Sequence, residues 1–447
     1  MSPLQPTPSQ QTVISFLSDP ASYEFRPKAV SRIETHCAVV FLAGDFAYKL
    51  KRAIRYSSLD YTTRDLRQRA CEAELRLNRR TAPELYVCAR SINRMPDGRL
   101  GFDRPGEALD HVVVVQGFSQ ADLFERMADS GRLTRDMVQE LGAAIARLHL
   151  MAETTLSFGG SEGIRRVIAD NHRELARVAQ LLDGASVSVL GGKSQDVISS
   201  IAPLLDQRRA DGNVRRGHGD LRLANACLYR DKPTLFDCIE FSDEISCIDT
   251  LYDLAFLLMD LALRGRNDLC NAAFNAYLDL VPETGGLRAG TRSYALAGSA
   301  DRRTDPDERK RLAMEARRYI EAGLRFLMPE RPRLITLGGD VGLGKELASQ
   351  LAASAGSPPG ARLLRAAAGG SVWPEALAVL RAGCRVLIEG VAAPQQRAAA
   401  MRLALGAIVP FKGLWCGLPP ADLEPGYWRI IQPHDAVGSA MAGDFWQ

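Results

Sequence analysis

Residues 215–241 read RRGHGDLRLANACLYRDKPTLFDCIEF, and this stretch decides how the chain is interpreted. Apolar runs that are typical of β-strands are interrupted by His218, Asp220, Asn225 and Asp237. Two acids and an amide at this spacing fit either a solvated polar loop or a site for a hard cation, because such ions prefer oxygen ligands. The rest of the sequence must distinguish these two interpretations.

Length and composition exclude several classes of protein. A chain of 447 residues, of which 46% are hydrophobic and 24% charged, predicts two or three globular domains. A net charge of +3 is too small to indicate a nucleic-acid partner. Nine scattered cysteines without a CxxC spacing indicate reduced thiols rather than a zinc site or disulfides. We find no signal segment and no apolar run of the roughly 18–20 residues needed to span a bilayer, so we expect a cytoplasmic protein without membrane contacts.

The first part of the chain predicts a small α+β lobe. A helix is expected to begin near Thr12, and residues 37–54 (CAVVFLAGDFAYKLKRAI) predict a β-hairpin that turns at Gly44–Asp45. Residues 63–79 have apolar residues at helical spacing, and HVVVVQGF at 111–118 predicts another strand. Helices are then expected from Thr134 onward and over roughly 161–183, 194–209, 249–263, 266–280 and 306–328.

A different pattern begins with RPRLITLGGDVGLGKELASQLAAS at 331–354. A buried strand, a glycine-rich loop and a helix follow one another there, and helix and strand patterns alternate afterwards. This alternation predicts an α/β unit with a parallel sheet.

Transfer of a phosphoryl group from ATP requires charge neutralisation more than covalent chemistry. The parts needed are a lysine for the phosphates, a glutamate to hold that lysine, an aspartate facing the acceptor hydroxyl, and magnesium ligands. Lys49 lies in the second hairpin strand and Glu74 on the following helix. Lys51 shares the strand face of Lys49 because side chains alternate along a strand, and Glu72 is a second helix candidate, so both stay open as alternatives.

The remaining parts occur in the opening stretch. Asp220 and Asn225 have the spacing of the acid and the amide in a kinase catalytic loop. Asp237 follows the apolar run TLF, where a second metal-binding acid belongs. This ordered set favours a magnesium and nucleotide site over a solvated loop.

HGDLRLAN followed by LFDCIEF resembles the aminoglycoside-phosphotransferase branch of the protein-kinase-like fold. With ETHCAVVFLAGDFAYKLKRAI, ACEAELRLNRRTAPELY and DLAFLLMDL, the chain resembles bacterial bifunctional aminoglycoside phosphotransferase/ATP-binding proteins, often labelled AAA family ATPases. The resemblance implies an α+β protein-kinase-like bilobal domain over 1–328, with an N-lobe at about 12–116 and a helical C-lobe at about 117–328. A smaller, degenerate α/β P-loop NTPase-like domain is expected over 332–447.

The resemblance also implies roles by position. Asp220 would be the catalytic base, and Asn225 and Asp237 would bind Mg²⁺. Lys49 would hold the phosphates of ATP, with Glu74 as its partner.

Four further residues are expected to support this site. His218 would shape the catalytic loop, and Asp253 would bond to the backbone of that loop. Backbone groups near Gln116 and Phe118 would bind adenine. Two departures from the family pattern concern other segments: no GxGxxG precedes the strand lysine, and YALAGSADRRT at 294–304 stands where a basic helix is expected, which puts the acceptor chemistry in doubt.

The GDVGLGKE motif fits the phosphate-binding pattern GxxxxGK in all but its last position. Gly339, Gly342 and Gly344 would bring backbone N–H groups to the phosphates, and Lys345 would reach the outer ones. Glu346 stands where a serine or threonine hydroxyl should bind magnesium. We therefore expect a degenerate P-loop.

Three other positions weaken this second site in the same way. RVLIEG supplies Glu389 in place of the usual aspartate, only Arg429 stands in the segment where an arginine-bearing lid is expected, and ARLLRAAAGG at 361–370 lacks an expected aspartate. The second domain is therefore predicted to be non-catalytic.

The sequence favours an ATP- and Mg²⁺-dependent kinase that phosphorylates a hydroxyl of an unidentified small molecule through its first domain. The acidic residues Glu240, Asp243, Glu244 and Asp249 could attract a cationic acceptor or could form a solvated loop. Two alternatives remain: a nucleotide-binding regulatory or scaffold protein without turnover, and a kinase whose activity resides in the P-loop domain. The acceptor and the oligomeric state are not predicted.

Overall fold

The structure, a computed structural model, describes residues 8–56, 58–177, 184–282, 331–355, 359–366, 371–424, 426–431 and 446. They divide into two units, and the first consists of Met1–Leu133 and Arg216–Ile248 as far as these are described. The second consists of the described parts of Thr134–Arg215, Asp249–Asp301 and Arg311–Gln447. The helix predicted at 306–328 and the segment 294–304 lie outside the described residues.

The described residues of both units form strands and helices. In chain order the strands are β1 (Val30–Glu34), β2 (Ala38–Ala43), β3 (Phe46–Lys51), β4 (Arg55–Tyr56), β5 (Leu59–Asp60), β6 (Tyr86–Arg94), β7 (Leu100–Phe102), β8 (Glu107–Gln116), β9 (Val214–Arg216), β10 (Ala226–Tyr229), β11 (Lys232–Leu235), β12 (Cys247–Asp249), β13 (Leu334–Gly339), β14 (Arg362–Arg365), β15 (Val386–Glu389), β16 (Phe411–Cys416) and β17 (Trp428–Ile431). The helices are α1 (Pro8–Ser18), α2 (Arg64–Asn78), α3 (Phe124–Asp129), α4 (Arg135–Met151), α5 (Gly160–Arg177), α6 (Gly184–Ala210), α7 (Asp243–Ser246), α8 (Thr250–Leu263), α9 (Asn267–Leu280), α10 (Val341–Ala353), α11 (Trp373–Arg381) and α12 (Pro394–Ala407).

The predicted β-hairpin lies inside a six-stranded sheet of the first unit, with the strand order β1-β2-β3-β8-β6-β7. Each neighbouring pair is antiparallel. β2 and β3 pair in a register that places Val40 opposite Lys49 and Ala38 opposite Lys51. The turn between them uses Gly44 at a φ of +57°, a left-handed conformation that costs glycine little. The hairpin prediction is confirmed.

Helices cover both faces of this sheet. Val13, Ile14 and Leu17 of α1 belong to a buried cluster with Val112 and Val114 of β8. On the opposite face, Cys71 of α2 shares another cluster with Val113. Burial of each such aliphatic side chain contributes roughly 1.5–3 kcal/mol, which accounts for the continuous apolar run in β8.

Local sequence signals agree with the observed ends of the helices in two cases. Thr63 caps α2 by accepting a hydrogen bond from Leu66 N at 3.2 Å, and Thr134 caps α4 by accepting one from Met137 N at 3.3 Å. The helices predicted at 63–79 and from Thr134 are confirmed. α1 begins at Pro8, four residues before the predicted start.

The second unit contains helices and a parallel sheet. α4 packs along α9, α5 packs along α6, and α9 also contacts α10. The five-stranded sheet has the order β14-β15-β13-β16-β17, and all four strand pairs are parallel. The parallel strands are those that the helix and strand alternation predicts, while assignment to a P-loop NTPase-like fold stays a prediction.

The two units divide the chain differently from the predicted domains. The first unit extends to Leu133 and includes residues 216–248, which carry the opening stretch, while the second combines helices α4–α6, α8 and α9 with the parallel sheet. The predicted division into 1–328 and 332–447 therefore stays a prediction.

Candidate functional site

Lys49, Glu74 and Asp237 meet in the first unit, although they are distant in sequence. Lys49 Nζ lies 2.9 Å from Glu74 Oε1 and 2.5 Å from Asp237 Oδ1. β3 carries the lysine and α2 carries the glutamate, while the aspartate follows β11. The Glu74 side chain is fully buried, whereas that of Asp237 is 43% exposed, so the aspartate has an oxygen accessible to a ligand. The structure thus brings together the lysine and the two acids that the sequence singles out.

The lysine next on the same face of β3 belongs to the same cluster. Lys51 Nζ contacts Glu74 Oε2 and also Glu240 Oε1. Lys51 is 2% exposed, whereas the Lys49 side chain is 19% exposed and reaches Asp237. Glu72, the other helix candidate, is exposed and accepts a hydrogen bond from Gln68 at 3.0 Å. The geometry therefore favours Lys49 and Glu74 over the alternatives.

Burial and charge act in opposite directions on this cluster. Burial raises the pKa of the Glu74 carboxyl, but the positive charges of Lys49 and Lys51 outweigh it and lower this pKa. Burial likewise raises the pKa of Asp237, and the charge and hydrogen bond of Lys49 lower it further than burial raises it. Burial lowers the pKa of each lysine, yet the facing carboxylates hold both values above the ordinary range. All four side chains therefore stay charged at neutral pH.

Asp237 has an unusual backbone conformation that its neighbours hold in place. Its φ is +62°, in the left-handed region that aspartate tolerates better than most residues. The Asp237 N–H donates to Tyr86 Oη at 3.1 Å, and the next N–H, that of Cys238, donates to Asn78 Oδ1 at 2.8 Å. Ile239 N donates to the carbonyl of His218 at 2.9 Å. Such a conformation at an acid is typical of a functional site, where surrounding contacts compensate the strain.

The segment HGDLRLAN forms a loop with a short 3₁₀ turn at Leu223–Asn225. Asn225 Nδ2 donates to the Asp220 backbone carbonyl at 2.9 Å and to Asp220 Oδ2 at 2.8 Å. His218 is buried, its Nε2 lies 2.9 Å from the carbonyl of Phe236, and its Nδ1 accepts a hydrogen bond from Asp220 N at 3.3 Å. The histidine thus ties the Asp220 loop to Phe236, the residue that precedes Asp237, in keeping with its predicted shaping role.

Sequence reasoning missed Arg222. Its Nε lies 2.7 Å from Asp220 Oδ1, and its Nη2 donates to Asp220 Oδ2 at 2.9 Å. This two-pronged pairing fixes the plane of the carboxylate. The sequence contained a signal for this pair, because Arg222 stands two positions after Asp220 and a basic side chain at that spacing can reach back to the acid.

Tyr86 and Asn78 were also missed. Their side chains accept hydrogen bonds from backbone N–H groups that are 151 and 160 residues away. No local sequence pattern predicts partners at such distances along the chain.

The end of β8 carries the residues predicted to lie near adenine. Gln116 N donates to the carbonyl of Leu85 at 2.7 Å, and Gly117 N donates to the carbonyl of Asp45 at 2.6 Å. The Phe118 ring lies edge-on to Phe236, with 5.4 Å between the ring centres. Phe118 therefore packs beside the residue that precedes Asp237, and the adenine contact itself stays a prediction.

The acidic run after Asp237 is partly buried: Asp243 and Glu244 are exposed, whereas Glu240 and Asp249 are enclosed. Glu240 is paired with Lys51, and Asp249 is 7% exposed and paired with Arg208, whose Nε lies 2.7 Å away. Asp243 pairs with Arg216 at 2.7 Å. Both interpretations of the run are therefore wrong for Glu240 and Asp249, because basic partners far away in the sequence neutralise them.

Asp253 lies in the second unit, fully buried in α8. Its Oδ2 lies 3.1 Å from His149 Nε2, and the other ring nitrogen of His149 lies 3.0 Å from Tyr277 Oη. The predicted bond from Asp253 to the loop backbone stays a prediction.

A sequence profile of the phosphotransferase enzyme family, APH, matches residues 55–295, which is more than half of the chain. The chain belongs to this family. The match includes Glu74, Asp220, Asn225 and Asp237, whereas Lys49 lies just before it. Membership confirms the prediction of a phosphotransferase family domain for this part of the chain.

Three curated relatives match a large part of the chain. It is 29% identical over 329 residues to an uncharacterized protein of Mycobacterium bovis and to uncharacterized proteins of two Mycobacterium tuberculosis strains. Each alignment covers 70% of this chain and 62% of the relative. The chain therefore spans less than two thirds of the length of the relatives it matches.

Three solved structures are similar to this chain at low sequence identity. A choline/ethanolamine kinase family protein from Mesorhizobium loti is 14% identical, with a TM-score of 0.38 over 70% of this chain and 98% of its own. A microcompartment-associated aminopropanol kinase is 15% identical, with a TM-score of 0.39 over 71% and 97%. The ADP-bound aminoglycoside phosphotransferase APH(2'')-Ib is 12% identical, with a TM-score of 0.36 over 72% and 98%.

The described residues include no membrane-spanning helix and no ready-made cluster of metal ligands. Every helix described there is too short or too polar to cross a bilayer. Likewise, the described ranges contain no group of three or more His, Cys, Asp or Glu side chains placed to hold a metal ion.

The GDVGLGKE motif lies beyond the family match, between β13 and α10. Gly339 has a φ of +92°, and a Cβ atom there would lie 2.0 Å from the carbonyl oxygen of Cys416, so only glycine fits. The loop is shorter than the pattern predicts, because α10 begins at Val341. The Gly342 N–H donates to Asp340 Oδ1 at 2.9 Å, and the Gly344 N–H donates to the Asp340 carbonyl at 3.0 Å.

The other predicted parts of this second site lie in the parallel sheet. Lys345 is exposed on α10, while the side chain of Glu346 lies outside what the structure describes. Glu389 ends β15, is 7% exposed and pairs with Arg365 of β14. Arg429 is exposed on β17. The acid that would help to bind a metal is thus held by an arginine.

Proposed function

We propose that the chain is an ATP- and Mg²⁺-dependent phosphotransferase that transfers the γ-phosphoryl group to a hydroxyl of a small molecule through its first domain, predicted over 1–328. The observation that carries the proposal is the contact of Lys49 Nζ with both Glu74 and Asp237. A lysine held between a helix glutamate and a metal-binding aspartate is the arrangement that kinases use to hold nucleotide phosphates.

The donor atoms of the site suit Mg²⁺. Asp237 offers a half-exposed carboxylate, and the nitrogen end of the Asn225 amide is bonded to Asp220, so the amide oxygen is the end available to a metal. Mg²⁺ in kinase sites needs only one or two protein oxygens because phosphate oxygens and waters complete its octahedron. When bound, the ion would neutralise negative charge on the phosphates of ATP.

The remaining steps belong to side chains of the chain itself. Lys49 would turn from Asp237 toward the phosphates while Glu74 keeps hold of its ammonium group. Asp220 would accept the proton of the acceptor hydroxyl as that oxygen bonds to the γ-phosphorus and the bond to the leaving ADP breaks. Adenine would lie beside Phe118. The N–H groups of Gln116 and Gly117 already donate to backbone carbonyls. The Phe118 N–H and nearby carbonyls would therefore bind adenine.

The proposal is tested by incubating the purified chain with Mg·ATP and a panel of amino alcohols, amino sugars and neutral sugars. We expect ADP release and a phosphorylated product, detected by mass spectrometry, for at least one acceptor. Asp220→Asn should lower turnover by about 100-fold or more because it removes the base. Equal turnover by the wild type and this variant would contradict the role of Asp220, and failure of the wild type to bind Mg·ATP would contradict the function as a whole.

We also propose that the C-terminal P-loop domain is not catalytic. The amides of Gly342 and Gly344, which would have to face phosphate, donate to Asp340 instead, and Glu389 is taken up by Arg365. Calorimetry with Mg·ATP tests this: Lys345→Ala should leave one full-strength site, whereas Asp237→Ala should abolish binding. The opposite pattern would mean that the working nucleotide site lies in the second domain.

A further inference from the structure

A second pair of charged side chains lies behind the site of Lys49 and Asp237. Lys51 Nζ contacts Glu240 Oε1, and the two side chains are 2% and 5% exposed. The Tyr61 hydroxyl donates to the same Glu240 oxygen, and Lys51 Nζ lies 5.3 Å from the centre of the Tyr61 ring. Glu240 thus has two partners, and both belong to the N-terminal part of the first unit.

Stability alone does not account for this pair. Removing two charges from water costs several kcal/mol for each ion, and their attraction repays this cost only with good geometry and further hydrogen bonds. Apolar side chains of similar volume would fill the space at lower cost. The contacts of the pair with functional side chains give a better explanation.

Lys51 and Lys49 share the Glu74 carboxylate. One oxygen of Glu74 contacts Lys49 and the other contacts Lys51. When Lys49 turns from Asp237 toward phosphate, its charge is shared between Glu74 and the nucleotide, and Lys51 holds the glutamate in its orientation and neutralises its charge. The fully buried glutamate is therefore never left without a cation.

Glu240 acts on the other side of the site, three residues after Asp237. Between these two acids, Cys238 N bonds to Asn78 and Ile239 N bonds to His218. The Glu240 contact with Lys51 is a further attachment of this segment, and it joins the segment to β3, the strand that carries Lys49. The position of Asp237 relative to Lys49 therefore depends on the Lys51–Glu240 pair.

We propose that Lys51 and Glu240 are positioning residues for metal-bound nucleotide: they hold Asp237 and Glu74 in the geometry that receives Mg·ATP. The inference rests on the proposed function of the same site. Partners that orient metal ligands without touching the metal change metal affinity by about 10- to 100-fold when they are removed. The pair should therefore affect binding of Mg·ATP far more than binding of ATP without metal.

Calorimetry on the full chain separates these two quantities. Glu240→Gln keeps the shape of the side chain and removes its charge, so we expect the Kd for Mg·ATP to rise about tenfold. The Kd for ATP in the presence of EDTA should stay within about twofold, because the variant leaves Lys49 intact. An equal rise in both values would show a general structural role and overturn the inference.

Tyr61→Phe keeps the test informative if Glu240→Gln does not fold. It removes only the hydroxyl bond to Glu240, and the Kd for Mg·ATP should rise about two- to threefold with no change for metal-free ATP. A Kd for Mg·ATP like that of the wild type in every folded variant would overturn the inference. Asp237→Ala separates failure of this inference from failure of the proposed function. If Asp237→Ala loses Mg·ATP binding while Glu240→Gln binds normally, the inference is overturned and the proposed function stands.

Discussion

The Nζ atom of Lys49 lies 2.5 Å from the Oδ1 atom of Asp237, so the side chain proposed to hold phosphate is paired with the side chain proposed to hold metal. Their charges cancel, which keeps the site neutral at this point before a nucleotide arrives. Phosphate would then compete with Asp237 for the lysine, and a cation would compete with Lys49 for the aspartate. Nucleotide and metal should consequently bind together better than either does alone.

Replacement of the paired lysine should reduce turnover severely. Lys49→Met keeps much of the length of the side chain and removes its charge, and we expect kcat/KM for Mg·ATP to fall by about 100-fold or more. Steady-state kinetics with the acceptor found in the screen measure this. Lys28→Met, an exposed lysine of the same unit, is the matched control and should behave like the wild type. A loss of less than about threefold in Lys49→Met would assign the phosphate contact to another side chain.

The lowered pKa of Glu74 makes stability depend on pH. Its folded-state pKa lies below the ordinary value of 4.5, so its contribution is complete above that value and is lost as the pH falls through the folded-state pKa. The free energy of unfolding of the wild type should therefore decrease as the pH falls below about 4.5. Urea unfolding at several pH values should show a shallower dependence for Glu74→Gln, although this variant is less stable at neutral pH. Equal slopes in the two proteins would contradict the lowered pKa.

The sequence predicted the members of the first site better than their connections. Because side chains alternate along a strand, Lys49 and Lys51 lie on one face. This alternation does not determine which of the two lysines faces a ligand. The structure answers this through burial, because Lys51 is enclosed by Glu74 and Glu240. The Glu240 contact joins residues 189 positions apart, and no local pattern encodes such a distance.

In the C-terminal sheet, too, the sequence pattern predicts which elements form but not where one of them begins. Alternation of strand and helix patterns predicts its parallel strands, because a parallel pair requires a crossover. The GxxxxGK pattern also predicts a loop up to Lys345, yet α10 begins at Val341 because the side chain and carbonyl of Asp340 satisfy the first N–H groups. A motif records residue types, whereas the start of a helix depends on which acceptor reaches its first amides.

Arg222 should be needed for the orientation of Asp220. Arg222→Ala removes both of its bonds to the carboxylate, and we expect kcat to fall about tenfold with a smaller change in KM, because a misoriented base reacts less often. Arg230→Ala is the control, since Arg230 is exposed and pairs with Glu84 away from this loop. Steady-state kinetics distinguish two roles: a higher kcat in Arg222→Ala would mean that the arginine competes with the acceptor for Asp220.

Arg362 should strengthen the attachment of the second unit's sheet to α9, which Asn271 and Asn275 also support. Arg362, with a side chain 5% exposed, bonds to Asp279 at 2.7 Å, to Glu375 at 2.9 Å and to Asn275 Oδ1 at 3.1 Å. Arg362→Met should lower the free energy of unfolding by about 1–3 kcal/mol, because several charge-assisted hydrogen bonds are lost while the partner acids remain partly hydrated. All four tryptophans of the chain lie at or after residue 373, so their fluorescence during urea unfolding reports this sheet. Arg402→Met, an exposed arginine on α12, should change stability by less than about 0.5 kcal/mol, and an equal effect of the two variants would show that the Arg362 contacts do not hold the sheet.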